Sequence, residues 1–436
     1  MRVFGAMGSW LDKVGAKIAA LDKRLVLVGL VLLVIPLFRP DLLSHVDDKT
    51  FVNLYKYWGL ISGVCALTLF VVLGRKGAFA YFAVLLVGSV LVATFMFDGK
   101  VSRWFVYWLP SAIMALLVAS TCRCFYRELV VSVLVVTTVL EVMNFASVII
   151  FPDGMWATDR VAQNGNYFFD HRNNAYKLLF PMLLCSSLLD GLNGKKVGIR
   201  TILLLALSYA QLILAPSATS MVALTLLVVF FVLVQWRRAR SIFNSLTFLS
   251  VSVVSFVLVV VMRLQDVFGF FIVDVLHKNM TFTGRTYIWD ATFEMFHGIR
   301  HALFGYGVSG YKQLVIDGHP YSHAHNEFLD VWLNGGFVAV VALLGMLILV
   351  SLALYKSRKS REAAVLAVAV GAYYVIGLTE PIVSTSFIFV ASVAFYRYRR
   401  KDREMISDTP FNSSSHAPIC ADGEVDYNGS VRLLAK

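Results

Sequence analysis

Phe337–Leu354 reads FVAVVALLGMLILVSLAL, eighteen residues without a charge, and Lys356, Arg358, Lys359 and Arg361 follow it closely. A helix of about 20 apolar residues matches the hydrocarbon core of a bilayer. Further apolar runs occupy Leu25–Phe38, Tyr57–Gly74, Gly77–Phe97, Trp104–Thr121, Leu129–Phe151, Ala175–Leu189, Thr201–Leu214, Met221–Trp236, Leu246–Met262, Ala363–Leu378 and Ile382–Tyr396. The pattern predicts an all-α, polytopic membrane protein with about 12 transmembrane helices. Composition agrees: 58% of the 436 residues are hydrophobic and 15% are charged, against about 25% charged in soluble domains. Mean hydropathy is +0.72. This excludes most cytosolic enzymes, disordered chains and secreted disulfide scaffolds.

An even number of spans puts both termini on one side. About two thirds of the 39 Lys and Arg residues then fall on that side, as expected of a cytoplasmic face. They include Arg237, Arg238 and Arg240, the 356–361 cluster and the 397–403 cluster. The net charge of +12 is therefore a topology signal, and no nucleic-acid partner is expected. Residues 1–24 carry Val3, Met7, Trp10, Val14, Ile18 and Leu21 at helical spacing beside Lys13, Lys17 and Lys23. That pattern predicts an amphipathic cytoplasmic helix. Residues 25–262 hold spans one to nine with an outside loop at 152–174. A large extracytoplasmic loop covers 263–325, spans ten to twelve lie in 326–403, and 404–436 form a polar cytoplasmic tail of disordered composition. Of five cysteines, Cys65 and Cys185 lie in apolar runs and the rest fall on the cytoplasmic side, so no disulfide is expected.

Polar chemistry concentrates in the two outside loops. Thr283-Gly284-Arg285-Thr286 opens a helical pattern in which Trp289, Phe293 and Phe296 share a face. Arg285 in the first turn opposes the helix dipole; it serves either an anion site or a carboxylate such as Asp290. Gly305, Gly307 and Gly310 match G-x-G-x-x-G, but no strand–helix context supports a nucleotide fold. They are turns, or a backbone approach to phosphate. His323-Ala324-His325-Asn326-Glu327 meets the start of a span. A histidine there suits a base, and His319, His323 and His325 are alternatively metal ligands. Asp170-His171-Arg172 precedes another span, making Arg172 an anion candidate or an interface anchor. Glu141 and Asn144 share a face of span five, with Lys177 a candidate partner for Glu141.

Thr-Gly-Arg-Thr with Trp289, then Leu-Phe-Gly-Tyr-Gly at 303–307, then His-Ala-His-Asn-Glu-Phe-Leu at 323–329 with Gly335-Gly336, together resemble the O-antigen ligase and Wzy-type O-antigen polymerase superfamily. The resemblance implies a glycosyltransferase of the bacterial cytoplasmic membrane that uses polyprenyl-diphosphate-linked oligosaccharides, without cofactor or metal. It places the reacting histidine at His325 and the diphosphate-binding arginines at Arg285 and, more loosely, Arg172. His323, Asn326, Trp289, Gly305 and Gly307 support them. Many members carry Ser-Arg-Gly at a middle hairpin where this chain has Ser217-Ala218-Thr219-Ser220; Arg172 or Arg263 stands in for the missing cation. A polymerase is the favoured reading, an O-antigen-type ligase the alternative, and a transporter or flippase a third. Membrane lipid and other polysaccharide-assembly proteins are the expected partners.

Overall fold

The computed structural model describes residues 13–74, 77–156, 165–264, 285–309, 315–316, 319–320 and 323–399. The expected amphipathic stretch is helical over residues 13–19; residues 1–12, much of the 263–325 loop and the 404–436 tail lie outside the described residues.

A helix occupies each of the twelve apolar runs. Six are long and apolar enough to cross a membrane: Lys49–Leu73, Ala78–Met96, Val101–Thr121, Tyr126–Ile150, Arg172–Leu192 and Glu327–Lys356. Ile199–Leu214, Ala218–Leu233 and Ser245–Val261 are apolar but shorter. The chain is thus helical and multi-pass. Among the described residues the exception to helix is a ladder of two-residue strands, Val315–Ile316 antiparallel to His319–Pro320.

Several helices depart from straight rods at identifiable residues. Val101–Thr121 breaks at Trp108, just before Pro110, where a proline fits the first turn of a new helix. Ser245–Ser255 passes into a π-helical stretch, Phe256–Val261. Glu327–Lys356 begins ten residues before the expected span, with a break at Gly336, which adopts φ 69°. Any side chain at Gly336 would collide with the Leu303 carbonyl.

Tyr176–Leu192, Arg361–Gly377 and Thr385–Tyr398 are buried along nearly their whole length and form the centre. Glu327–Lys356 packs along Ala78–Met96, and Ala218–Leu233 packs on Arg361–Gly377. Lys49–Leu73 lies at the rim, with Leu54, Ile61, Val64 and Val71 exposed. Such surface is stable against lipid rather than water.

Two expectations need correction. Cys65 and Cys185 are free, but Cys124 is disulfide-bonded; the compartment argument said nothing about which thiols the fold brings together. Lys177 does not reach Glu141. Its Nζ donates to Asp170 Oδ2 at 2.8 Å, because both sit at one end of the Tyr176–Leu192 helix, whereas Glu141 is buried deeper, inside Tyr126–Ile150.

Candidate active site

The site is assembled on an unusual helix start. Asn326 caps Glu327–Lys356: its Oδ1 accepts from Phe328 N at 3.1 Å and Leu329 N at 3.2 Å. Its Nδ2 donates to Leu378 O, tying the cap to the connector between the last two helices. His325, just before the cap, has φ 48°, a left-handed conformation uncommon for a residue with a Cβ. The buried Trp289 donates its indole N–H to His325 O at 3.4 Å, and Ala324 N donates to Asp330 Oδ1 at 3.1 Å. These bonds aim the His325 ring at the connector.

There it meets Glu380. Glu380 Oε2 lies 3.1 Å from His325 Nδ1 and 3.6 Å from His323 Nε2. Glu380 Oε1 accepts from Arg285 Nη2 at 2.7 Å, and Arg285 Nε donates to Thr379 O at 3.1 Å. Arg285 and His325 are therefore bound to the two oxygens of one carboxylate. Glu380 is 4% exposed, while Arg285, His325 and His323 keep 19%, 23% and 34%. The acid is inside, and its partners keep part of their surface exposed.

Burial alone would raise the Glu380 carboxyl, but the two histidines reverse this and hold it well below the ordinary carboxylate range. Burial, reinforced by the charge of His325, lowers the His323 imidazole below 6.5. His323, His325 and Glu380 offer ligand atoms within 4.8 Å of one another and could hold a metal ion. The Arg285 guanidinium on the same carboxylate already supplies a positive charge there.

Arg172 belongs to a neighbouring segment. Its backbone N–H donates to Gly165 O at 2.8 Å, and its side chain lies against Gly165. Tyr176, four residues on, donates its hydroxyl to Pro381 O at 2.8 Å, so this loop abuts the Glu380 connector. His171 is lowered by burial first, while nearby Asp170 and Glu380 raise it and Arg172 lowers it. The 217–220 hairpin sits beside them: Ser220 Oγ donates to Asn173 O at 3.1 Å. No ion pair engages Arg172 among the described residues. Arg263, by contrast, is paired with Asp290, bonded to Thr286 O and stacked 5.2 Å from the Trp289 ring. Asp290 thus takes Arg263, and Arg285 finds Glu380 instead.

The glycines serve packing. Gly305 (φ 74°) and Gly307 (φ 71°) let backbone meet backbone. A Cβ at Gly305 would stand 2.6 Å from Gly336 N. Tyr306 N donates to Leu333 O at 2.8 Å and Gly307 N to Asn334 O at 3.1 Å. These N–H groups satisfy carbonyls freed by the Gly336 break, so they do not point at a phosphate.

Residues 202–344 match the O-antigen ligase family. The O-antigen ligase match spans Arg285, Trp289, Gly305, Gly307, His323, His325 and Asn326, and bears out the resemblance to the O-antigen ligase and Wzy-type superfamily. The match supports a membrane enzyme of ligase or polymerase type, and the apolar helices make the chain multi-pass. No curated protein matches it. Glu380 and Arg172 lie outside the matched O-antigen ligase segment. Sequence reasoning missed Glu380; its one signal is a lone acid in Leu378-Thr379-Glu380-Pro381 between two apolar runs, where an unpaired charge would be costly.

Proposed function

We propose that this protein is a glycosyltransferase of the bacterial cytoplasmic membrane that joins polyprenyl-diphosphate-linked repeat units into a surface polysaccharide. Twelve crossings, cytoplasmic termini and an extracytoplasmic site complete the reading. The observation that carries it is the Arg285–Glu380–His325 arrangement, a proton acceptor and a guanidinium organised by one buried carboxylate.

In this mechanism an acceptor hydroxyl attacks the anomeric carbon of the donor. The new glycosidic C–O bond forms as the bond to the lipid diphosphate breaks, inverting the anomeric centre. Glu380 accepts a hydrogen bond from the Nδ1–H of His325, which leaves Nε2 free of a proton to take the one from the hydroxyl. Arg285, fixed by Glu380 and Thr379, brings its guanidinium charge beside the departing diphosphate. Arg172 supplies the second cation from beside the hairpin whose own arginine is missing. Arg285 neutralises the carboxylate without a divalent ion, so activity should persist in EDTA. Loss in EDTA with restoration by one divalent ion would favour a His323–His325–Glu380 metal centre.

The ligase reading draws on the family description itself and differs only in the acceptor. Incubating purified protein with a lipid-diphosphate-linked repeat unit as the sole glycan separates the two. A product ladder is expected of the polymerase. Transfer only to an added envelope acceptor would establish the ligase, and no transfer of either kind would sink both.

A further inference from the structure

A second concave site lies away from Glu380. A groove of about 350 Å³ runs between the turn Ile35–Leu37, the start of the Lys49–Leu73 helix and the Val101–Tyr107 helix. Leu37, Tyr57, Phe105 and Ile113 help form its walls; among the described residues Arg39 and Lys56 are its cations and no acidic side chain lines it. Apolar walls suit a hydrocarbon chain, and two cations without an acid suit a phosphate head.

The groove opens at the same end of the bundle as the candidate active site. Asp41 N donates to Phe169 O at 2.7 Å and Leu42 N to Phe168 O at 3.3 Å. The segment after Arg39 is thereby fixed to the loop that carries Arg172, and that loop meets Pro381 through Tyr176. None of the residues lining the groove belongs to the Glu380 cluster, so one diphosphate cannot occupy both.

We infer that this groove seats the lipid of the acceptor, a second polyprenyl-diphosphate-linked oligosaccharide, while the donor diphosphate lies at Arg285. The inference rests on the polymerase reading. Such an acceptor attacks through a hydroxyl at the far end of its repeat unit, so its own diphosphate must lie at a distance from the reacting carbon. A separate lipid-phosphate seat at the same end of the bundle meets that requirement.

The test counts lipids on the purified full-length chain by native mass spectrometry, using glycan-free polyprenyl diphosphate. Two bound lipids are expected for the unaltered protein. One is expected for Arg39→Ala/Lys56→Ala, and one for Arg285→Ala, which retains the groove. Gly59→Leu obstructs the groove by volume alone. A Cβ there meets nothing nearer than Pro36 Cβ at 4.0 Å, so the fold should accept it, and it should also hold one lipid. In a chain-growth assay Gly59→Leu should raise the acceptor KM roughly tenfold or more. A single lipid on the unaltered protein would overturn the inference. So would two lipids on both groove variants, or displacement by phosphatidylglycerol as effective as by unlabelled polyprenyl diphosphate. Two lipids without chain growth would instead overturn the polymerase reading, because binding is measured independently of turnover.

Discussion

Among the described residues two buried carboxylates recruit arginine, one at each end of the bundle, and they are built differently. Asp190 lies fourteen residues after Tyr176 on one helix, about 21 Å along its axis. It accepts from Gly198 N at 2.7 Å, Arg200 Nη2 at 2.9 Å and Thr201 Oγ1 at 2.6 Å. All three belong to the adjoining hairpin, so local sequence closes the site on itself. Glu380 collects His323, His325 and Arg285 from segments 55 or more residues away, and every partner keeps some exposure. A carboxylate saturated by its neighbours fastens a turn. One reached from distant segments, with two histidines among its partners, is placed to organise chemistry.

The sharpest way to break this contrast is His325→Ala. Turnover should fall roughly 10²- to 10⁴-fold at unchanged protein level, the usual span for losing a general base. Chain formation measured in cells and in vitro at near-normal rates would remove His325 from the mechanism. Glu380→Gln should cost about 10²-fold in turnover, because a carboxamide does not enforce the histidine tautomer. If the variant folds and works normally, Glu380 is merely a fastener and the comparison fails. Arg285→Lys should be milder, roughly tenfold on both KM and turnover, since the charge survives and the planar fork does not.

Asp190→Asn should move the other way round. It leaves Arg200 without its charge partner and should lower stability by about 1–3 kcal/mol, read as thermal unfolding in detergent, while turnover per folded molecule stays the same. Reduced turnover at full folding would show that the far end also communicates with the reaction. The smallest effect concerns pH. The folded protein holds His323 below its ordinary 6.5, so the unfolded chain binds the extra proton first. Stability therefore falls as pH drops below 6.5 and is unaffected above it. His323→Ala should flatten that acid-side loss in an unfolding series; an unchanged slope would assign the loss to other groups.

Much of this site could be read in the residues. The Arg285 and His325 motifs announce themselves because polar groups beside a span need a wet cavity or partners, and the two do converge. Glu380 could not be read so easily: the three residues between the runs ending at Leu378 and starting at Ile382 have no periodicity, and its partners meet it only once the distant segments bearing Arg285 and His323–His325 fold over it. The glycines at 305 and 307 were legible as turns. Their close approach to the Gly336 break was not, since it depends on where a helix 30 residues later interrupts itself. The helical, polytopic character followed from composition and run length, whereas Trp108 and Gly336 mark breaks that hydropathy averages away.

The left-handed backbone at His325 has a consequence for how this enzyme trades durability against chemistry. A side chain in that conformation costs roughly 1–2 kcal/mol that glycine would not. Backbone strain alone would favour glycine at this position; His325→Gly relieves that strain but gives up the bond to Glu380, and should lose turnover as His325→Ala does. The protein keeps a residue that its own backbone disfavours, which sets a ceiling on stabilising the loop without sacrificing the reaction.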